Sequence, residues 1–296
     1  MIQKRKAGLP LEKRREIVGW TFLLPATLLI CWMSFWPMIQ AFVISLQTGR
    51  GAVLRFAGLN NYIRIFNDSV FRQTLLNTFI YLIIQVPIML LLALIMASVL
   101  NSPNLKCKGL FRTAIFLPCA TSLVSYSMIF RSLFANDGFI NAVLRNIGLE
   151  PIMWFSNGWT ARAVIIIALI WRWTGYNMVF FLAGLQNIDM SVYEAARIDG
   201  CSPVQSFFKI TLPLLKPTIL LTAIMSTNGT LQLFDESLNL TNGGPGRDTM
   251  TMSHYIYNAS FVQTPNFGYA AAMSIVVLIL VAVLAFIQMK VGDERD

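Results

Sequence analysis

Long runs with almost no charged side chain alternate along the chain with short polar segments that hold most of the Lys, Arg, Asp and Glu. A hydrocarbon layer about 30 Å thick needs roughly 20 apolar residues per helix. Six stretches meet that requirement: 17–46, 74–100, 113–134, 163–185, 214–235 and 267–289. Arg172 interrupts the fourth. The pattern predicts an all-α integral membrane protein, a bundle of six transmembrane helices over residues 17–290 with a basic tail at 1–16 and a short tail at 291–296. Pro25, Pro37, Pro87 and Pro118 fall inside the runs. Within a bundle, neighbouring helices satisfy the carbonyls that proline frees, so the four are read as kinks, not as boundaries.

Composition agrees: 56% of the 296 residues are hydrophobic, 12% are charged and the mean hydropathy is +0.61. These values exclude a soluble domain, a disordered chain, a coiled coil and a disulfide scaffold. The net charge of +9 would suit a nucleic-acid-binding surface, but the basic residues cluster between the apolar runs instead of covering a fold. Positive loops stay cytoplasmic. With six spans, fourteen Lys and Arg fall on the side of the termini and eight, all Arg, on the other, so both termini are expected in the cytoplasm. The first run is longer than a signal-peptide core and no small-residue cleavage pattern follows it, so it reads as a retained anchor. Cys31, Cys107, Cys119 and Cys201 form neither an outer disulfide pair nor a metal-ligand cluster.

The segment 189–213 carries the densest local signals. Ser191 and Glu194 have capping-box spacing and predict a short helix starting at Val192. Asp199 and Gly200 suit a turn through positive φ. Ser202, Pro203 and Gln205 then start a second helix that runs through Phe207, Phe208 and Ile210 toward Leu212. The unit reads either as a docking element beneath the bundle or as an amphipathic loop lying on the lipid interface.

Glu194-Ala195-Ala196, then Gly200, Ile210 and Leu212-Pro213, resembles at every spacing the EAA signature of ABC-importer permeases. The run 183–188, Gly243-Gly244-Pro245, Tyr255-Ile256-Tyr257 and the segment 268–272 are similar to the binding-protein-dependent sugar importers of the maltose and multiple-sugar type, with the lactose and lactose/arabinose components nearest. The resemblance covers the chain from about residue 17. It implies a permease subunit that pairs with a second, similar permease and rests on two ATPase subunits. It also implies an extracytoplasmic sugar-binding protein, and a bacterial or archaeal cytoplasmic membrane as the location. Ser191, Tyr193, Glu194, Ala195, Ala196, Asp199, Gly200, Ile210, Leu212 and Pro213 are then the candidate ATPase-coupling residues. The sequence holds no Gly-Lys dipeptide and hence no phosphate loop, so ATP and Mg²⁺ are expected on the partner and no cofactor or metal on this chain.

A sugar path needs hydroxyl-pairing groups and flat apolar faces. Span four offers Arg172, Trp173, Tyr176 and Asn177; span five and its end offer Asn228, Gln232, Asp235 and Glu236. Asn228, Gln232 and Glu236 recur at i, i+4 and i+8, one helical stripe. Gly229 within this polar run suggests local unwinding. Arg172 either lines the cavity or bridges helix carbonyls and snorkels, and the other groups either face the cargo or make interhelical hydrogen bonds. His254, the sole histidine, reads as a surface or loop residue, and Gly268 with Ala271 or Ala272 as a close-packing face for a helix, a second permease included. The competing classes are an ion-coupled secondary transporter or channel, and a membrane enzyme, for which no acid–base or metal constellation is present.

Overall fold

The computed structural model describes residues 11–50, 53–102 and 105–292. The basic residues Lys4, Arg5, Lys6 and Arg295 lie outside the described residues. Chain order runs α1 (Leu11–Ile30), α2 (Trp36–Ser45), strands β1 (Gln47–Arg50) and β2 (Val53–Phe56), α3 (Asn60–Asn67), α4 (Ser69–Asn101), α5 (Lys108–Ala120), α6 (Leu123–Leu133) and α7 (Phe139–Asn146). It continues with α8 (Gly158–Gln186), α9 (Met190–Ile198), α10 (Pro203–Ser206), α11 (Leu212–Leu214), α12 (Lys216–Leu231), α13 (Asp235–Thr241), α14 (Met252–Tyr257) and α15 (Phe267–Gly292). Single π turns at Cys31–Phe35, Phe207–Thr211 and Asn258–Val262 join their neighbours.

Among the described residues four helices are long and apolar enough to cross a membrane, and up to six spans result if each of two bent pairs counts as one. The third expected helix is not continuous: α5 ends at Ala120 and meets α6 at 97°, and the Thr121 N–H closes the last turn onto the Pro118 carbonyl. Pro118 therefore lies inside the last turn of α5, just before a break sharper than the expected kink. The fifth run bends by 65° at Leu215 and ends at Leu231, short of the expected 235. The fold is also not purely helical, because β1 and β2 form a small antiparallel hairpin between α2 and α3.

The first helix stays continuous through Pro25 and a π turn, and residues 15–40 are exposed to whatever surrounds the chain. The core lies elsewhere, where α8 runs along α4. At one end Ala93, Leu94 and Ala97 of α4 meet Met178, Phe181 and Leu182 of α8 and Leu215. Near the other end, Val164, Ile165 and Ala168 of α8 pack against Tyr126 and Phe130 of α6. A third cluster joins Phe71 and Leu231 to Tyr269, Ala272 and Met273 of α15. Small residues set the distances between helices. A Cβ on Gly268 would overlap the Gln47 carbonyl oxygen, so the expected close-packing face of α15 closes, at this glycine, on the chain's own hairpin.

One polar clamp fixes how α4 starts. Asp68 Oδ1 accepts the Val70 and Phe71 amides at 2.8 and 3.3 Å, capping α4. Its Oδ2 accepts from the Tyr255 hydroxyl at 2.7 Å and from the Tyr269 hydroxyl, which ties α4 to α14 and α15. Burial pushes the Asp68 carboxyl up, but the hydrogen bonds from Tyr269, Tyr255 and the two amides outweigh it and hold it below the usual carboxylate range. Burial and the Asp68 carboxylate beside it push Tyr255 up to about 12. A carboxyl depressed in the folded state stabilises that state fully above its unfolded pKa, near 4, and loses the contribution as pH falls through the folded value. Asp68→Asn should cost about 2 kcal/mol, the scale of hydrogen bonds to a charged group. Thermal unfolding in detergent should show a lower midpoint and a weaker dependence on acidification than wild type. An unchanged midpoint would remove the clamp.

Candidate functional site

The break after α12 makes the site. Polar residues crowd the last turn of α12, where the Gln232 N–H closes on the Asn228 carbonyl and Leu233 on Thr230; Phe234 then leaves helical geometry at φ −133°. α13 restarts with Asp235 and Glu236 in its first turn. Thr251 Oγ1 donates to the Leu233 carbonyl at 2.6 Å, and Ser237 Oγ bonds the Thr249 carbonyl and His254 Nδ1, each at 2.9 Å. His254 is thus not a surface residue: it is 1% exposed, burial lowers its pKa, and it braces the restart of α13 from α14. Its role is missed in the sequence because a lone histidine in a polar stretch gives no sign of the Ser237 contact that buries it.

In front of this break lies a cavity of about 620 Å³ walled by α4, α6, α8, α12 and the turn into α13. Its volume is within the range of small-ligand sites, about 300–1,000 Å³. Arg172, Trp173, Tyr176 and Asn177 of α8 line it together with Asn228, Gln232, Asp235 and Glu236, so the structure brings all eight path residues to one place. The expected stripe is not one helix face, however, because the chain breaks between Gln232 and Glu236; the cavity unites what the helix does not. Gly229 lies in regular helix, and a Cβ placed on it would meet nothing within 4 Å, so the unwinding falls three residues later than its sequence position suggests.

The lining is largely self-satisfied. Ser226 Oγ donates to Asn177 Oδ1 at 3.2 Å, Asn177 Nδ2 to the Trp173 carbonyl at 3.0 Å, and Thr230 Oγ1 to Gln85 Oε1 at 3.0 Å. The Gln232 amide donates to Asn228 Oδ1. Trp173 and Tyr176 meet edge to face at 5.8 Å, offering apolar faces to the space. Trp171 does not line the cavity; it stacks on Tyr126 and meets Phe130 at a tilt of 57°. Arg172 is the exception. It is 6% exposed, its guanidinium lies 4.7 Å from the Tyr126 ring centre, and its Nε and Nη1 have no hydrogen-bond partner among the described residues.

A second buried arginine closes one end of the bundle. Arg162 Nε donates to the Asp248 carbonyl at 2.7 Å, and its Nη2 reaches Asn77 Oδ1 at 3.0 Å and Asp248 Oδ1 at 3.3 Å. Asn77 Nδ2 and Gln73 Nε2 bind the same loop, through the Arg247 and Met250 carbonyls and Asp248. By sequence Arg162 counts only as a loop cation; its pairing with Asp248, 86 residues away, is invisible to any local pattern.

The segment 189–213 folds as two short helices around Gly200, whose φ of +75° favours glycine. The cap of α9 is Asp189, not Ser191: Asp189 Oδ1 accepts the Ser191 amide at 3.0 Å, which also holds the exposed Asp189 carboxyl below the usual range, and the helix begins at Met190. The expected capping box of Ser202 and Gln205 is present in full. Ala196 is buried, Tyr193 bonds Thr211 within the segment through their hydroxyls at 3.0 Å, Ile210 is half-buried, and half-buried Phe207 and Leu212 pack against the core cluster of α4 and α8. Ser191, Glu194, Ala195, Asp199, Gly200 and Pro213 are exposed, as are Ile198, Val204 and Phe208 beside them. The unit is therefore anchored on one side and presents a mixed apolar and charged face on the other.

Comparison with known proteins gives one consistent answer. Residues 71–293 match the family model of the binding-protein-dependent transport system inner membrane component. The chain is 51% identical over 289 residues to the lactose transport system permease of Rhizobium radiobacter, covering 96% of this chain and 97% of that one. It is 36% identical to the arabinooligosaccharide permease of Halalkalibacterium halodurans (95% and 91% covered) and 31% identical to the trehalose/maltose permease of Thermococcus litoralis (96% and 97%). A chain of the crystal structure of a bacterial ABC transporter importing the acidic polysaccharide alginate shares the fold, with a TM-score of 0.80 at 21% identity over 95% of this chain and 96% of that one.

Proposed function

Because the chain belongs to the family of inner membrane components of binding-protein-dependent transport systems, we propose that it is the permease subunit of an ABC importer that moves a mono- or oligosaccharide across the cytoplasmic membrane. The observation that carries the reading is the cavity at the α12–α13 break, where amides, carboxylates, an arginine and two aromatic faces converge on a space of ligand size. Sugars expose hydroxyls that both donate and accept, and apolar ring faces that stack on aromatics, so this mixture matches their chemistry. The relatives named above for lactose, arabinooligosaccharides and trehalose/maltose support a sugar cargo.

In this reading both bent helix pairs cross the membrane, giving six spans with the termini and 189–213 on the cytoplasmic side. The exposed face around Glu194, Ala195 and Gly200 docks on an ATPase subunit, a second permease completes the cavity, and a sugar-binding protein delivers cargo from outside. ATP and Mg²⁺ act on the ATPase. Closure of the ATPases pulls on α9 and α10, and the Tyr193–Thr211 bond with the packing of Phe207 and Leu212 passes that motion to α12, which ends in the cavity wall.

Sugar uptake by cells holding the whole system should vanish when the ATPase gene is deleted and persist through the first minute after an ionophore collapses ion gradients. Uptake that survives the deletion and stops with the ionophore would refute the proposal in favour of an ion-coupled transporter.

A further inference from the structure

The family comparisons include importers of neutral sugars and of an acidic polysaccharide, so membership leaves the charge of the cargo open. The cavity itself constrains it. Three formally charged side chains line the space: Arg172, Asp235 and Glu236. If Glu236 is ionised their sum is −1, and if it carries a proton the sum is zero. In neither state does this chain present a net positive wall to an anion.

Arg172 is nevertheless primed to bind something. Among the described residues no carboxylate pairs with it, and it is held instead between aromatic rings, 4.7 Å from the centre of Tyr126 and 5.6 Å from that of Trp173. Ring faces offset part of the cost of burying the cation but leave the in-plane N–H groups unused. The unpartnered Nε and Nη1 are buried donors that gain from any oxygen placed before them. The buried Tyr126 hydroxyl lies beside the same guanidinium and next to Glu236, the carboxyl it faces. A sugar diol satisfies both signs at once: its oxygens accept from the arginine and its hydroxyl hydrogens go to the carboxylates. A carboxylate or sulfonate on the sugar would satisfy Arg172 but meet the Asp235 carboxylate, and Glu236 whenever it is ionised, as like charges, in surroundings where such repulsion is weakly screened.

We propose that Arg172, seated on the Tyr126 ring and sharing the cavity with Asp235 and Glu236, forms a charge-compensated clamp for the hydroxyls of uncharged sugars that excludes acidic ones. The proposal rests on the sugar-permease reading above. In it Arg172 contacts the cargo and Tyr126 is a positioning residue that acts through Arg172.

The test uses the assembled complex of this chain, its partner permease and the ATPases in lipid nanodiscs, without the binding protein, which would impose a selection of its own. Saturation-transfer NMR would compare glucose, maltose, galactose and lactose with glucuronate, galacturonate and digalacturonate. At least one neutral sugar should show contact, with its acidic counterpart at least tenfold weaker. Arg172→Gln and Tyr126→Leu should lose the neutral signal and Tyr126→Phe should keep it, while the Asp235→Asn/Glu236→Gln double variant should gain signal from the acids. Equal contact by acidic and neutral sugars in the wild-type complex, or a neutral signal untouched by Arg172→Gln, overturns the clamp and leaves the sugar permease standing. Contact by no sugar of either kind overturns the sugar reading itself.

Discussion

Gly175→Val should leave almost no folded, monodisperse chain, with the peak in size-exclusion chromatography of detergent extracts reduced more than tenfold. Gly175 lies on α8 where α5 crosses it, and even a Cβ there would overlap the Ile115 carbonyl oxygen, with the carbonyl carbon at 2.7 Å and Phe116 Cα at 3.0 Å. These are backbone atoms, so no rotamer change relieves the clash; α5 must move as a body. Overpacking costs about 1–3 kcal/mol where side chains can adjust, and a backbone collision with a branched residue exceeds that, against a total stability of about 5–15 kcal/mol. The damage also reaches the site, since Trp173, Tyr176 and Asn177 flank Gly175 and line the cavity. Gly229→Ala is the matching control: its Cβ meets nothing within 4 Å, so yield should stay near wild type. A normal peak and melting midpoint for Gly175→Val would mean that α5 and α8 do not pack as described.

Glu194→Lys should abolish uptake while the chain still folds. Glu194 is exposed on α9 and makes no side-chain hydrogen bond or ion pair within the described chain, so nothing in the fold depends on its charge. At an interface the reversal places a cation where a carboxylate docked, and juxtaposed like charges cost several kcal/mol. About 2.7 kcal/mol corresponds to a hundredfold loss of affinity. Co-purification of the ATPase with the tagged permease is therefore expected to fall about a hundredfold, with an unchanged size-exclusion profile for the permease alone. Undiminished co-purification would remove Glu194 from the docking face and reopen the lipid-interface reading of 189–213.

The two predictions differ in how far each could be read from the chain alone. Glu194, Gly200 and the Ser202–Gln205 cap sit in a segment whose turn chemistry is local, and the structure reproduces its helix–turn–helix almost as the sequence specifies it. Two differences are small: Asp189 and Ser191 are both competent caps two residues apart and the helix takes the earlier one, and the second helix passes through a π turn at Phe207–Thr211 on its way to Leu212. Gly175, by contrast, carries no local mark. A glycine inside an apolar run could loosen a helix or admit a neighbour, and only the position of Ile115 decides between them.

The same division runs through the whole protein. Apolar length is a property of consecutive residues set against a fixed membrane thickness, so the long spans, the class of protein and the polar groups of spans four and five are written in the sequence. Where helices break is decided by pairs. The turn after Leu231 is fastened by Thr251 and the restart after it by Ser237 and His254, and the end of the bundle near Asp248 is closed by Arg162 and Asn77. Whether an arginine is paired or left open is also a fact about three dimensions. Arg162 and Arg172 look alike as cations near or within an apolar run, yet one is spent on a loop and the other faces a cavity with its donors free. Sequence determined which groups are present and the membrane they suit, because those follow from local free energies of transfer. Tertiary structure alone decided which buried polar groups satisfy one another and which remain for a cargo, because that depends on contacts between residues far apart in the chain.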